Sequence, residues 1–483
     1  MVAMAACLGT VAGAALLSPA DAGAKGGRAA GGPTTTVASA SPVATPGVDQ
    51  YGGSTARQLE ATGRFRTARV DGRWWLIDPD GHPFFSNGMS ALNYGEVPTD
   101  QARYGSPAAW AKGTTKLLRS WNVNTIGGWS ERYLPLYADG HLPFTFVLEM
   151  TNRPDDVFSP TWEKRVRSTI DTATRAHGDD PDLIGYYVDN ELPWLLDLSD
   201  NFASQLQSYL QLPGSARGKA EVTTFLKARY RGDLAALRRD VPSIKATSWP
   251  ALKASTAKVE SPTTPAGRKT LTAWTTHVAK RYFSFVGATL HKADPDHLNL
   301  GPRFVSQLTP KAVIVEAAKH IDVLAVNFYE NLPEWDRAAQ GFANGYDMAW
   351  TGAMLADFAK LSRKPLLISE WGYRAAGTGL PNTIPPSMVT AKDQTQRAAW
   401  VRNYLSCALD TNYVVGAHWF QFADQPKAGR GGDGENNNWG VMNKDGKVYT
   451  KVTDELAKVP ARAYGRLSSG AKPLPCTPVG LQR

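Results

Sequence analysis

Residues Leu183–Glu191 read LIGYYVDNE and residues Pro365–Tyr373 read PLLISEWGY, two short apolar runs that each close around a glutamate. An apolar run of this length, without alternation, predicts a strand buried on both faces, as in a parallel sheet covered by helices. Six more runs share the form: Phe84–Asn93, Asn122–Trp129, Pro143–Met150, His297–Phe304, Asp322–Glu330 and Val414–Phe422. Amphipathic stretches of helical period lie between them. Eight strand–helix units predict an α/β chain folded as a (β/α)8 TIM barrel. Such a barrel keeps its functional residues at the C-terminal ends of the strands.

Working outward, the stretch RFRTARVDGRWWLIDPDGHPFFSNG (Arg64–Gly88) carries two turn signals, Asp71-Gly72 and Asp80-Gly81. They predict a short β-hairpin region closing the bottom of the barrel. The longest interruption, from Leu192 to about Leu271, follows the fourth run. Phe225, Leu226, Tyr230, Leu234 and Leu237 recur in it at helical spacing, which predicts a helical insertion over the barrel mouth. The scaffold helix should resume with Trp274, Val278, Phe285 and Leu290 on one face.

At the N-terminus, Val2–Leu17 is apolar and precedes the A-x-A-like sites Ala20-Asp21-Ala22 and Ala22-Gly23-Ala24, although no Lys or Arg comes before Lys25. That pattern predicts a secretory signal peptide. Gly31–Gly47, made of small residues, Thr and Pro, predicts a disordered linker. The expected limits are 1–24 signal peptide, 25–50 linker, 51–465 barrel and 466–483 tail. The protein is then secreted and extracellular, and no later stretch is long enough to span a membrane. Cys7 falls in the signal; Cys407 and Cys476 either pair in an oxidising compartment or stay as two thiols.

The net charge of +9 and pI near 9.2 suggest nucleic acid only if the basic residues cluster. They do not: Lys and Arg are interleaved with acids, and Arg229–Asp240 has the spacing of a solvated helix face, so no nucleic-acid partner is expected. The 8 histidines show no metal-site spacing. No phosphate loop and no G-x-S-x-G elbow is present. Neither a catalytic metal nor a cofactor is expected. Fifteen tryptophans supply flat apolar faces of the kind that stack on sugar rings, though such residues also fill cores.

Two carboxylates remain. Glu191 ends the fourth run and Glu370 the seventh, and strands four and seven of a closed barrel face each other across its mouth. A facing pair of glutamates suits glycosidic-bond hydrolysis, one carboxyl protonating the leaving oxygen while the other attacks the anomeric carbon.

The chain resembles the clan of retaining (β/α)8-barrel glycosidases, and within it the β-agarase-type family. The matching stretches are WWLIDPDGHPFFSNGMSAL (Trp74–Leu92), GYYVDNELPW (Gly185–Trp194) and HWFQFADQPKAGRGGDGENNNWGV (His418–Val441), and the similarity runs from about Arg64 to Tyr449. The resemblance implies Glu191 as acid/base and Glu370 as nucleophile. It also implies Asn190 on the sugar 2-hydroxyl, Tyr329 orienting Glu370, and Trp419 as the floor under the sugar. The loop with Asp424, Gln425, Asp433 and Glu435 would contact substrate or brace the mouth. The partner is then a galactan-like polysaccharide or oligosaccharide. A β-galactosidase or mannan-type enzyme with the same mechanism, and a non-catalytic sugar-binding barrel, stand as alternatives. The oligomeric state is open.

Further candidates carry two readings each. Arg303 supports Glu370 or balances local charge. His418 bonds a sugar hydroxyl or fills the barrel top. Trp194 and Trp371 line the cleft or the core, and Asn93 ends the first run on the substrate side. Asp189 is expected to pin the end of the fourth strand, and Glu149 to be structural or substrate-side.

Overall fold

The computed structural model describes residues 47–151, 155–192, 194, 204–305, 309–330, 352–386 and 388–469. The stretch expected to be signal, most of the expected linker, Cys476 and most of the expected C-terminal tail lie outside them. An antiparallel hairpin comes first, β1 (Arg66–Val70) and β2 (Arg73–Ile77), followed by β3 (Pro83–Phe84). Val70 pairs with Arg73, and Asp71 and Gly72 between them have φ of 50° and 79°. Two positive φ values make a turn whose twist matches the strands it joins, which explains the Asp-Gly pair. From β2 the buried Arg73 guanidinium reaches the carbonyls of Leu409, Thr411 and Val414, at the entry to the last barrel strand. The hairpin therefore closes the bottom.

Parallel strands follow: β4 (Ser86–Met89), β5 (Thr125–Ile126), β6 (Phe144–Leu148), β7 (Leu183–Val188), β8 (Leu298–Asn299), β9 (Phe304–Val305), β10 (Leu324–Asn327) and β11 (Leu366–Trp371). A small side pair, β12 (Arg374–Ala375) with β13 (Thr390–Ala391), precedes β14 (Val414–Trp419). The main sheet has the order β8-β7-β6-β5-β4-β14-β11-β10-β9. Its two ends belong to one segment. Leu300 N–H donates to the Tyr186 carbonyl, and Ala325 N–H donates to the Leu300 carbonyl. The fifth run is thus bonded to its neighbours on either side, and the curled sheet is TIM-barrel-like. Each of the eight runs contains its strand. The fifth is broken in two because Gly301 and Arg303 both take positive φ.

Tyr51, Phe65, Leu76, Phe84, Tyr187 and Leu367 form an apolar cluster shared by the hairpin, the N-terminal segment and the strands, while the larger core lies between strands and helices. Among the described residues no helix is long and apolar enough to cross a membrane.

Two expectations need correction. Residues 47–50, assigned to the linker, are structured: Val48 bridges Ser54, and Asp49 Oδ1 accepts the amides of Tyr51, Gly52 and Gly53. One side chain satisfying three backbone donors is enough to order a small-residue segment. The helix Val459–Ser469 runs past residue 465 because Leu467, 4% exposed, still packs on the core. The stretch after β7 carries the helices Gln205–Leu210, Arg217–Arg229, Leu234–Asp240 and Trp249–Ala254. Tyr209 and Phe225 pack edge-on to Trp274 of the 29-residue helix Pro265–Ala293.

Cys407 is buried and disulfide-bonded; Cys476, the partner considered above, is outside the described residues.

Candidate active site

Glu370 sits at the end of β11, 6% exposed. Its Oε1 accepts from Arg303 Nη2 at 2.5 Å and from the indole Nε1 of Trp129 at 2.8 Å; its Oε2 accepts from the Tyr329 hydroxyl at 3.0 Å. A carboxylate can take four such bonds, and three of them are made here. Arg303 is itself fixed. It is fully buried, its guanidinium lies 5.1 Å from both the Trp129 and the Tyr187 ring centroids, and it also donates to the Ser369 carbonyl. Of its two readings, support of Glu370 is the one realised.

Glu191 is 7% exposed and follows β7. Its Oε1 accepts from Asn327 Nδ2 at 2.8 Å, and the same amide reaches Asn190 Oδ1 at 3.3 Å. Asn327 is the Cα partner of Glu370 in the β10–β11 register, and its Oδ1 is held by Ser369 Oγ at 2.8 Å. Neighbouring strands stand about 4.8 Å apart. One residue therefore joins the two glutamates: its backbone lies beside one and its side chain bonds the other.

The strand ends are strained. Ala91, Trp129, Asp189, Glu191 and Arg303 have φ between 48° and 70°, a region that costs a non-glycine residue about 1–3 kcal/mol. Asp189 shows how one is held: its Oδ1 accepts the amides of Met150 and Thr151, and Tyr282 donates to its Oδ2 at 2.7 Å. It pins the end of β7, as expected. Glu149 is exposed at the end of β6.

Four expected substrate contacts, Trp371, Trp419, His418 and Trp194, are buried, the first two through the alternation of side chains along a strand. Adjacent residues on a strand point to opposite sides, so Trp371 turns away from the side Glu370 faces. It is fully buried, stacked on Tyr404 at 4.2 Å and 4° and edge-on to Trp419. Trp419 follows His418 outward in the same way, and its Nε1 donates to the Trp439 carbonyl at 3.0 Å. His418 points into the barrel, where Nε2 meets Ser86 Oγ at 2.8 Å; burial, then Arg303, push its imidazole down to about 3. It is a neutral filler, not a sugar ligand. Trp194, 3% exposed, stacks on Phe283 at 5.4 Å. Asn93 lies half-buried in the loop after β4, and among the described residues no bond joins it to either glutamate.

Replacing Trp371 by alanine should accordingly cost stability, about 3–5 kcal/mol for a buried tryptophan. Urea unfolding separates this from a cleft role, which would raise KM and leave the midpoint in place.

The aromatic surface at the mouth is built from other residues. Phe420, Trp439, Tyr329 and Trp129 gather there with Ala91 and Met388. Trp439 lies 5.5 Å from the Tyr329 ring, and the Arg430 guanidinium lies 5.8 Å from the Phe420 ring. Sequence reading missed Trp129, Asn327, Phe420, Arg430 and Trp439. Trp129 does close the second run, and position alone marked it.

The loop after β14 braces itself. Asp424, buried, takes Asn438 Nδ2 at 2.7 Å, Gly440 N–H at 3.0 Å and the Tyr449 hydroxyl at 2.8 Å. Gln425 Nε2 donates to Glu435 Oε2 at 2.6 Å, and Arg430 bridges Asp433 and Glu435. Burial pushes the Glu435 carboxyl up to about 7; Arg430 and Gln425 oppose this, while Asp433 and Glu370 add to it. Folding then takes up a proton between about 4.5 and 7. This contribution is present below the lower value and lost as pH rises through the upper. Glu435→Gln should flatten part of the fall in urea midpoint between pH 5 and pH 8. Parallel curves for variant and parent would reject the assignment.

No family model matches the chain. It is 25% identical over 513 residues to β-agarase B of Vibrio sp. (strain JT0107), covering 87% of this chain and 50% of that protein. It is 27% identical over 478 residues to β-agarase A of the same strain, covering 82% and 45%. The chain thus spans about half the length of these curated relatives. Among solved structures it superposes on an agarase, AgWH50C, with TM-score 0.71 and 22% identity, covering 87% of this chain and 68% of that one. That last likeness bears on the fold. The resemblance to β-agarase-type glycoside hydrolases is borne out by the sequence relatives.

Proposed function

We propose that this β-agarase-like chain is a secreted retaining glycoside hydrolase that cleaves β-linked galactan of the agarose type. Glu370 would act as nucleophile and Glu191 as acid/base. The observation that carries the reading is the Asn327 link: it couples a glutamate gripped by a guanidinium, an indole and a phenol to one bonded by a neutral amide.

In this mechanism Glu370 attacks the anomeric carbon while Glu191 gives its proton to the departing oxygen. A covalent glycosyl–enzyme forms with inverted configuration. Water, deprotonated by Glu191, then displaces Glu370 and restores the β configuration. Asn190 would bond the 2-hydroxyl, and Phe420, Trp439 and Trp129 would offer apolar faces to the ring. The role foreseen for Trp419 passes to these.

The test is purified protein on agarose, galactan, arabinogalactan and mannan, with proton NMR of the first product formed. A β anomer released from agarose is expected. An initial α anomer would exclude double displacement, and inactivity on agarose would exclude the substrate.

A further inference from the structure

At the opposite end of the barrel, the ordered start of the chain meets the turn between β2 and β3. We propose that Asp49, Asp78 and His82 there form a binding site for one divalent cation that accepts mixed imidazole and carboxylate ligands, zinc first among them.

One ligand atom from each of the three residues can be chosen so that all lie within 4.8 Å of one another. Each is aimed by backbone bonds. Asp49 spends Oδ1 on three amides, which leaves Oδ2 facing His82 Nδ1 at 2.6 Å. Asp78 Oδ1 accepts the His82 amide at 2.9 Å, and the Asp78 amide donates to the His82 carbonyl at 3.0 Å, closing the turn. Asp78 is fully buried, and its Oδ2 finds no donor among the described residues. This oxygen occupies space that only glycine leaves open, since a Cβ on Gly53 would come within 1.8 Å of it.

A buried carboxylate oxygen without a donor is costly, and both carboxyls stand around one imidazole nitrogen, Asp49 Oδ2 at 2.6 Å and Asp78 Oδ1 at 3.9 Å from His82 Nδ1. Two carboxyls gathered on one imidazole need either a shared proton or a cation among them. One imidazole nitrogen and two carboxylate oxygens match zinc or manganese better than calcium, which prefers oxygen throughout. Zinc ligands sit about 2.0–2.2 Å from the ion in a tetrahedron, hence about 3.3 Å from one another, so the His82–Asp49 separation would widen by about 0.7 Å when the ion replaces their proton.

The site is far from the glutamates, and its effect is on assembly. Asp49 belongs to the N-terminal segment, Asp78 and His82 to the hairpin, and the Tyr464 hydroxyl near the end of the chain donates to the Gly52 carbonyl at 2.8 Å. An ion here would clamp the start of the ordered chain to the barrel floor, where structure serves stability.

The experiment takes the full chain, treated with chelator and dialysed, and titrates it with zinc chloride or manganese chloride by calorimetry, with thermal unfolding in parallel. One ion per chain and a rise in Tm of about 3 °C or more at saturating metal are expected. Both effects should vanish in Asp78→Asn and in His82→Gln. Absence of binding and of any shift in the parent protein overturns the proposal in favour of the shared proton. So does undiminished stoichiometry in either variant whose circular dichroism matches the parent.

Discussion

Glu370→Ala is expected to lower turnover of the polysaccharide by about 10⁴-fold or more, since it removes the group that forms the covalent intermediate. The variant should also be less stable. Arg303 is fully buried and its bond to Glu370 is charge-assisted; a buried ion pair broken on one side costs about 3–5 kcal/mol. Loss of activity through unfolding therefore has to be separated from loss of chemistry. A small anion does this. The alanine leaves a gap beside Trp129, Tyr329 and Arg303, three donors that held a carboxylate and should accept formate or azide. Attack by azide from that side gives a glycosyl azide of inverted, α configuration. Its accumulation from an aryl β-glycoside, at constant folded fraction, is the expected result. A glycosyl azide of β configuration, or full activity without any anion, would remove Glu370 from the role.

The barrel was legible because each strand is a continuous apolar run, and both glutamates were legible because they end two of those runs. What the sequence hid was direction. Trp371 and Trp419 stand beside residues that face inward or toward the mouth and so turn out toward the helices, where Tyr404 and Arg397 receive them. Alternation counted along β11 would have misplaced the first, because the register shifts between Ile368 and Trp371, and such shifts re-aim side chains. Asn327 and Trp129 were hidden for another reason. Their importance lies in lateral register between strands far apart in the chain, and no local pattern encodes that. The order of residues 47–50 was hidden likewise, since Asp49 is an ordinary linker acid until His82 is folded against it.

Glu191→Gln should behave differently from the alanine variant, and the difference is the sharper test of how the two carboxyls divide the work. A glutamine keeps the shape and can still meet Asn327, but it has no proton to give. Cleavage of the natural glycosidic bond, whose alkoxide leaving group needs that proton, should fall about 10²–10⁴-fold. An aryl glycoside with an acidic phenol departs without help, so its first step should be nearly untouched. The second step still lacks a base to activate water, so the glycosyl–enzyme should accumulate and appear as a burst of phenol followed by slow turnover. The alkaline limb of the pH profile, set by loss of the acid's proton, should vanish on the activated substrate. Equal losses on good and poor leaving groups would mean that Glu191 only shapes the site. The proton would then have to come from another carboxyl at the mouth. Among the described residues Glu435 is such a candidate, because its pKa is pushed up to about 7 and it feels the charge of Glu370.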